Sequence, residues 1–159
     1  MTTQYEDPGY LEAVYAALFA RLSSAVFADG SKFVTTSRVL DVPDQVSAAN
    51  QPALVLAPGP LHAEQREAFS LTKWTITAIA AVYFQADGSL NPNPLPATQA
   101  ANYVWGLQAV LLSTQPPYQK QTLGGLVYHA WIEGEVMMNV TEQQVVIVVP
   151  IFILPGPVN

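Results

Sequence analysis

Apolar residues recur with a helical period near the start of the chain. Asp7 and Pro8 precede this stretch, and these residue types favour the N-cap and the first turn of a helix. The pattern therefore predicts a helix from about Gly9 to Val26. Its apolar stripe consists of Leu11, Val14, Leu18, Leu22 and Ala25.

A second helical period lies in a part of the chain, Gly88 to Gln119, that contains no charged residue. It predicts a helix from about Ala97 to Leu112, in which Tyr103 and Trp105 widen the apolar stripe. A helix that is apolar around most of its circumference is normally buried on more than one side. The stripe itself consists of Ala100, Val104, Leu107 and Leu111.

Five stretches have the alternation or the β-branched composition of strands. Polar residues at Gly59–Ser70 predict a hairpin arm between the second and third strands, and a proline-rich loop at 88–96 ends the third. Strands grouped before and after a helix indicate an α+β fold, which we expect to form one domain over residues 1–159. We expect an antiparallel or mixed β-sheet of about five strands with two helices packed against it. The strands are predicted at Phe33–Leu40, Pro52–Pro58, Leu71–Phe84, Val127–Val136 and Val145–Leu154, and Met137–Gln144 is predicted to connect the last two.

The closing strand, Val145–Leu154, is apolar at every position, so both of its faces must be covered. Pro150 lacks the N–H group that a central strand donates, which predicts that this strand lies at an edge of the sheet. An exposed apolar edge aggregates unless something covers it. We expect a neighbouring copy of the chain, or its second helix, to cover the edge. A head-to-tail contact of that kind builds either a closed ring or a filament.

The composition favours contacts with other protein chains. Half of the 159 residues are apolar and only 11% are charged, well below the ~25% typical of soluble domains. The net charge of −6 argues against a nucleic-acid binder held by phosphate contacts. The absence of cysteine excludes disulfides, a thiol nucleophile and Cys-ligated zinc.

The sequence also bears on where the protein is found. No apolar run approaches the ~20 residues of a membrane helix, so no membrane contact is expected. The N-terminal residues are acidic and do not resemble the basic start of a signal peptide. The chain is therefore expected in the cytoplasm when it is made.

His129, Trp131, Glu133 and Glu135 lie two residues apart, which predicts that they share one face of a strand. A histidine with two carboxylates could bind a metal ion or transfer protons. The rest of the sequence supplies neither a further ligand nor a nucleophile, so a solvated or lumen-facing strand surface is the favoured interpretation. We accordingly predict no catalytic, cofactor-binding or metal site and no cofactor.

Five stretches of the chain, taken in order, carry a resemblance to a known family. They are the helix YLEAVYAALFARL, the segment FVTTSRVL, the strand QPALVLAPG, the long strand KWTITAIAAVYF and the closing VVIVVPIFIL. In this order they resemble the tail terminator, or tail completion, proteins of long-tailed bacteriophages. That family is recognised by pattern and order and has no invariant catalytic motif.

The resemblance implies a structural virion protein of the tail or neck that forms a hexameric ring. Such a ring caps the tail tube protein, meets the head-side connector or stopper protein, and lets genomic DNA pass through its centre without specific binding. Carboxylates facing the bore would let the DNA slide without sticking. The candidate bore residues are Glu64, Glu67, Glu133 and Glu135, and the predicted subunit interface consists of Val104, Trp105, Leu112, Val146, Val148, Pro150 and Phe152.

Two alternatives remain open at the level of the sequence. Another phage neck or connector component, or a tail tube subunit, would share the same physical features and differ in its partners. Open-ended polymerisation into tubes would indicate a tube subunit, whereas a closed ring would indicate a terminator. A small-molecule-binding protein or a hydrolase would have to use the surface around His129.

Overall fold

The computed structural model of the chain describes residues 7–39, 46–65, 67–68, 72–85, 96–112, 120–140 and 144–156. The predicted proline-rich loop before Pro96, and Arg66 of the predicted arm, lie outside the described residues. Within the described ranges the helices are α1 (Pro8–Ser23) and α2 (Pro96–Leu111), with a short 3-10 turn at Ala48–Asn50. The strands are β1 (Thr35–Ser37), β2 (Ala53–Glu64), β3 (Lys73–Gln85), β4 (Val127–Ile132), β5 (Met137–Val140) and β6 (Gln144–Pro155).

The strands form one mixed sheet in the order β1-β2-β3-β6-β4, and β5 also pairs with β6. β1 runs parallel to β2, and all the other pairs are antiparallel. This arrangement confirms the α+β class with two helices packed against a mixed sheet. The sheet has six strands because the predicted connection at Met137–Gln144 was wrong in its first half. Met137–Val140 is β5, which pairs with Val145–Val148.

Both helices pack on the same face of the sheet. The Asp7 side chain accepts a hydrogen bond from the Gly9 N–H at 2.8 Å, as predicted for an N-cap. The helix ends three residues earlier than predicted, where the Ser24 N–H donates to carbonyl oxygens of the last turn. The predicted stripe residues Val14, Leu18 and Leu22 are completely buried in the main core.

An aromatic cluster fixes α2 to the sheet and to the segment after α1. The ring of Tyr103 lies 4.7 Å from Phe27 and 4.8 Å from Phe84 of β3. Gly106 permits this close packing, because a side chain there would come within 2.6 Å of the Phe27 ring. Neither α1 nor α2 has the length and hydropathy that a membrane-crossing helix needs.

β6 is a central strand, so its predicted position at an edge was wrong. β3 pairs with one side of β6, while β4 and then β5 pair with the other side. The Glu133 N–H donates to the Pro150 oxygen at 3.3 Å, and in an antiparallel strand the N–H and C=O of one residue point to the same side. The missing N–H of Pro150 therefore points to the same side, at the gap between β4 and β5, where the ladder is interrupted.

The burial of the two faces of β6 also differs from the prediction that both faces are covered. The odd-numbered positions, from Val145 to Ile153, lie in the main core under the helices. The even-numbered positions, from Val146 to Leu154, are only half-buried on the face opposite α1 and α2. One apolar face of β6 is therefore covered by the chain itself, and the other is covered in part.

Candidate interaction surfaces

The first candidate surface is the outer stripe of α2. Trp105 is 66% exposed and Leu112, which directly follows the helix, is 59% exposed. Gln108 and Ala109 are exposed between them, so these positions form one continuous helical stripe. Val104, which was predicted at the same interface, is half-buried against the core. The stripe is uncharged and combines a large aromatic with a large aliphatic side chain.

The second candidate surface is the strand β5 at the edge of the sheet. Its apolar residues Met137, Met138 and Val140, and the preceding Val136, are all exposed. Because this edge strand is exposed and three of its four residues are apolar, it is a site where another chain can pair. The sequence pattern did not predict this surface. The alternating apolar residues were the available signal, but a four-residue strand is too short for the two-residue period to stand out.

The third surface is the face of the sheet opposite α1 and α2. A small second core of Ala53, Val55, Ala81 and Tyr83 lies there, and Val46 and Val146 pack against it. The remaining predicted interface residues of β6 continue this face towards the end of the strand. They are Val148, Pro150 and Phe152, and each is half-buried.

The four candidate bore carboxylates fall into two separate groups. Glu64 ends β2 and lies opposite Lys73, and Glu67 follows in the connection to β3. Glu133 and Glu135 lie in the connection between β4 and β5, near Pro150 at the middle of β6. All four side chains are exposed. The fold does not bring the two groups together within one subunit.

The predicted shared face of His129, Trp131, Glu133 and Glu135 exists only in part. The rings of His129 and Trp131 stack 4.8 Å apart. β4 then ends at Ile132, and Gly134 adopts a positive φ of 111° that turns the chain. Trp131 Nε1 donates to the Glu133 carboxylate. Among the residues that the structure describes, no group of three side chains is arranged to hold a metal ion.

His129 is held as a hydrogen-bond acceptor. Its Nδ1 accepts the Gln121 N–H at 3.0 Å, and the Ala130 N–H donates to the Gln121 oxygen at 2.9 Å. These two bonds attach the Gln121 backbone to the outer edge of β4. Burial lowers the pKa of the His129 imidazole, and the Lys120 ammonium lowers this pKa further. The neutral ring therefore has a structural role at the edge of the sheet.

We expect the protein to lose stability in mild acid through His129. The folded-state pKa lies below the ordinary value of about 6.5, so the unfolded chain binds the proton more readily. The contribution of the neutral ring is complete above pH ~6.5 and declines as the pH falls towards the folded-state pKa. Urea unfolding of the wild type and His129→Gln at pH 7 and pH 5 measures the difference. An equal loss in the two proteins would contradict this role.

A shallow pocket opens where the end of α2 meets the edge strand β4. Its volume is about 180 Å³. The helix contributes Gln108, Leu111 and Leu112, and the strand contributes His129, Ala130, Trp131 and Ile132. We call it the α2–β4 pocket. The sequence did not indicate it, because its two walls lie far apart along the chain.

Two helices on one face of a six-stranded mixed sheet define the chain as an α+β protein. No family model matches the sequence, and no curated protein sequence matches it. A solved structure does match the fold: a chain in the virion of the native gene transfer agent (GTA) particle, at a TM-score of 0.50 and 15% sequence identity. The match covers 94% of this chain and 100% of that one. At this identity the likeness concerns the fold.

Proposed function

We propose that this chain is a structural protein of a tailed-phage virion. In this proposal it is a tail terminator: six copies form a ring that ends the tail tube and joins it to the head-side connector, and genomic DNA passes through the bore. The full-length likeness in fold to a virion chain supports the structural role. The resemblance of the ordered sequence stretches to tail terminators supports the particular position in the tail.

The observation that carries the proposal is the pair of exposed apolar surfaces on α2 and β5. They lie at different places on the domain, one on the helix layer and one at the edge of the sheet. A contact between two different patches is head-to-tail, and a head-to-tail contact closes into a ring when its rotation permits. Exposed Trp105 has the size and amphipathic ring typical of interface anchors.

The charge of the chain fits a bore that DNA crosses. Glu64, Glu67, Glu133 and Glu135 are exposed, and the net charge of the chain is −6. Six copies would multiply this negative charge, and a negative wall repels the phosphate backbone. We propose that one of the two carboxylate groups lines the bore and that the other faces the outside or a partner protein.

Electron microscopy of the purified chain tests the proposal. We expect closed rings with a central opening wide enough for duplex DNA. Open tubes that lengthen with concentration would indicate a tail tube subunit instead. A population that stays monomeric at high micromolar concentration, and that does not bind tail tubes, would contradict a ring-forming terminator.

A further inference from the structure

The end of the β2–β3 hairpin is an amphipathic arm. Directly opposite residues of antiparallel strands share a face, and here Leu61 lies opposite Ile76 and Ala63 lies opposite Trp74. Ile76 belongs to the main core, so this face of the arm continues the face that the helices cover. The other face of the arm is polar and carries His62, Glu64, Lys73 and Thr75.

The apolar face of the arm is only partly covered by the chain. Leu61 is 50% exposed and Trp74 is 38% exposed, and Ala63 between them is exposed as well. The sequence predicted a polar hairpin at this place, with its strand ending at Pro58. The prediction missed the apolar face because only alternate residues of β2 are apolar there, and their partners lie on β3.

The base of the arm is held in a fixed orientation. The register of the hairpin shifts between Pro58 and Leu61, and Thr77 secures the shift because its hydroxyl donates to the Pro60 oxygen. Tyr15 of α1 donates to the Thr77 carbonyl at 2.7 Å. Gly59 allows this approach, since a side chain there would come within 2.5 Å of Thr77 Oγ1. These contacts hold the base of the arm against α1.

The α2–β4 pocket is a matching receptor on the same molecule. Its volume of about 180 Å³ is comparable to that of a ~150 Å³ protein cavity that binds benzene, so its size suits an aromatic side chain. The helix that forms one wall contains no charged residue, which suits an apolar knob. The pocket lies at the β4 edge, and β6 separates this edge from the arm strand β3.

We propose that the arm of one copy docks in the α2–β4 pocket of the next copy. Trp74 is the knob that enters the pocket, and Leu61 packs against Leu112 at its rim. Further along β3, helices packed over the sheet cover this same apolar face. The docked arm would meet a surface of the same kind at the pocket, where α2 packs over the sheet. Because arm and pocket are different patches, each copy offers one of each and the contact repeats around a ring. This inference rests on the proposed ring.

Engineered cysteines test the contact directly, because the natural chain contains none. The double variant Ala63→Cys/Gln108→Cys, treated with a thiol oxidant, should give a ladder of trimers and larger covalent species on a non-reducing gel. Each single variant should give no species larger than a dimer. Ala20→Cys/Gln108→Cys is the matched control, since Ala20 lies on the exposed face of α1, and it should give no ladder.

Trp74→Ala provides a second test of the same contact. Removing an aromatic anchor that the contact would bury should weaken self-association by about tenfold or more, with an unchanged circular dichroism spectrum. His62→Ala on the polar face of the arm should leave self-association unchanged. Rings that persist without a ladder, and that tolerate Trp74→Ala, would overturn the arm contact and leave the proposed function standing. A ladder from the double variant, together with open filaments formed by the wild type, would support the contact and refute the closed ring.

Discussion

Phe84→Ala should lower the free energy of unfolding by about 3–5 kcal/mol, the range measured for large aromatic deletions in protein cores. Phe84 is 2% exposed on the core face of β3, and its ring lies 4.8 Å from Tyr103 of α2. The substitution removes the contact that fixes α2 to the sheet and leaves a cavity beneath it. Domains of this size are stable by only about 5–15 kcal/mol, so much of the stability would be lost. Urea unfolding followed by circular dichroism measures the change.

Trp105→Ala is the matched control for this prediction. It removes another large aromatic side chain from a position two residues from Tyr103, but this side chain is mostly exposed. For the isolated subunit, at concentrations too low for assembly, we expect a loss below about 1 kcal/mol. If Trp105→Ala destabilised the subunit as much as Phe84→Ala, α2 would have to dock through its other face.

Trp105→Glu should disrupt assembly while leaving the subunit folded. Glutamate is at least as good a helix former as tryptophan, and the position is exposed in the subunit. In an assembled ring the substitution would delete an aromatic anchor, and it would place an unpaired charge against an apolar surface. Loss of an interface hot spot costs about 2 kcal/mol or more, so we expect self-association to weaken by at least about 30-fold. Sedimentation velocity over a concentration series measures this.

Ala20→Glu serves as the control for the added charge. Ala20 lies on the exposed face of α1, outside every surface proposed to contact another copy. This variant should assemble like the wild type. Equal disruption by both variants would indicate a general effect of charge on the assembly, and the α2 stripe would then have no special role.

The helices were predictable because their signals are local. A cap residue, a proline in the first turn and a helical period placed the start of α1 correctly, and α2 begins and ends within one residue of the prediction. The class of the sheet was predictable, but the order of its strands was not. Pro150 indicated an edge strand, yet β4 and β5 leave a gap at that position. Such a gap depends on which segments pair, and the local pattern of residues does not show which segments pair.

The candidate surfaces were also predictable only where their residues are close together in the sequence. Trp105 and Leu112 stood out because they widen a stripe that already covers one side of the helix. The apolar face of the arm did not stand out, because Leu61 and Trp74 belong to two strands and meet only through the hairpin register. The α2–β4 pocket likewise joins residues that are distant in the chain.

The central claim is that other copies of the chain cover the outer stripe of α2. Native mass spectrometry of the wild-type chain at micromolar concentration tests it most directly, because the masses of the species give the copy number. We predict one dominant closed species, a hexamer, that is lost in Trp105→Glu and kept in Ala20→Glu. A wild-type spectrum that contains only monomer across the whole concentration range would contradict the account.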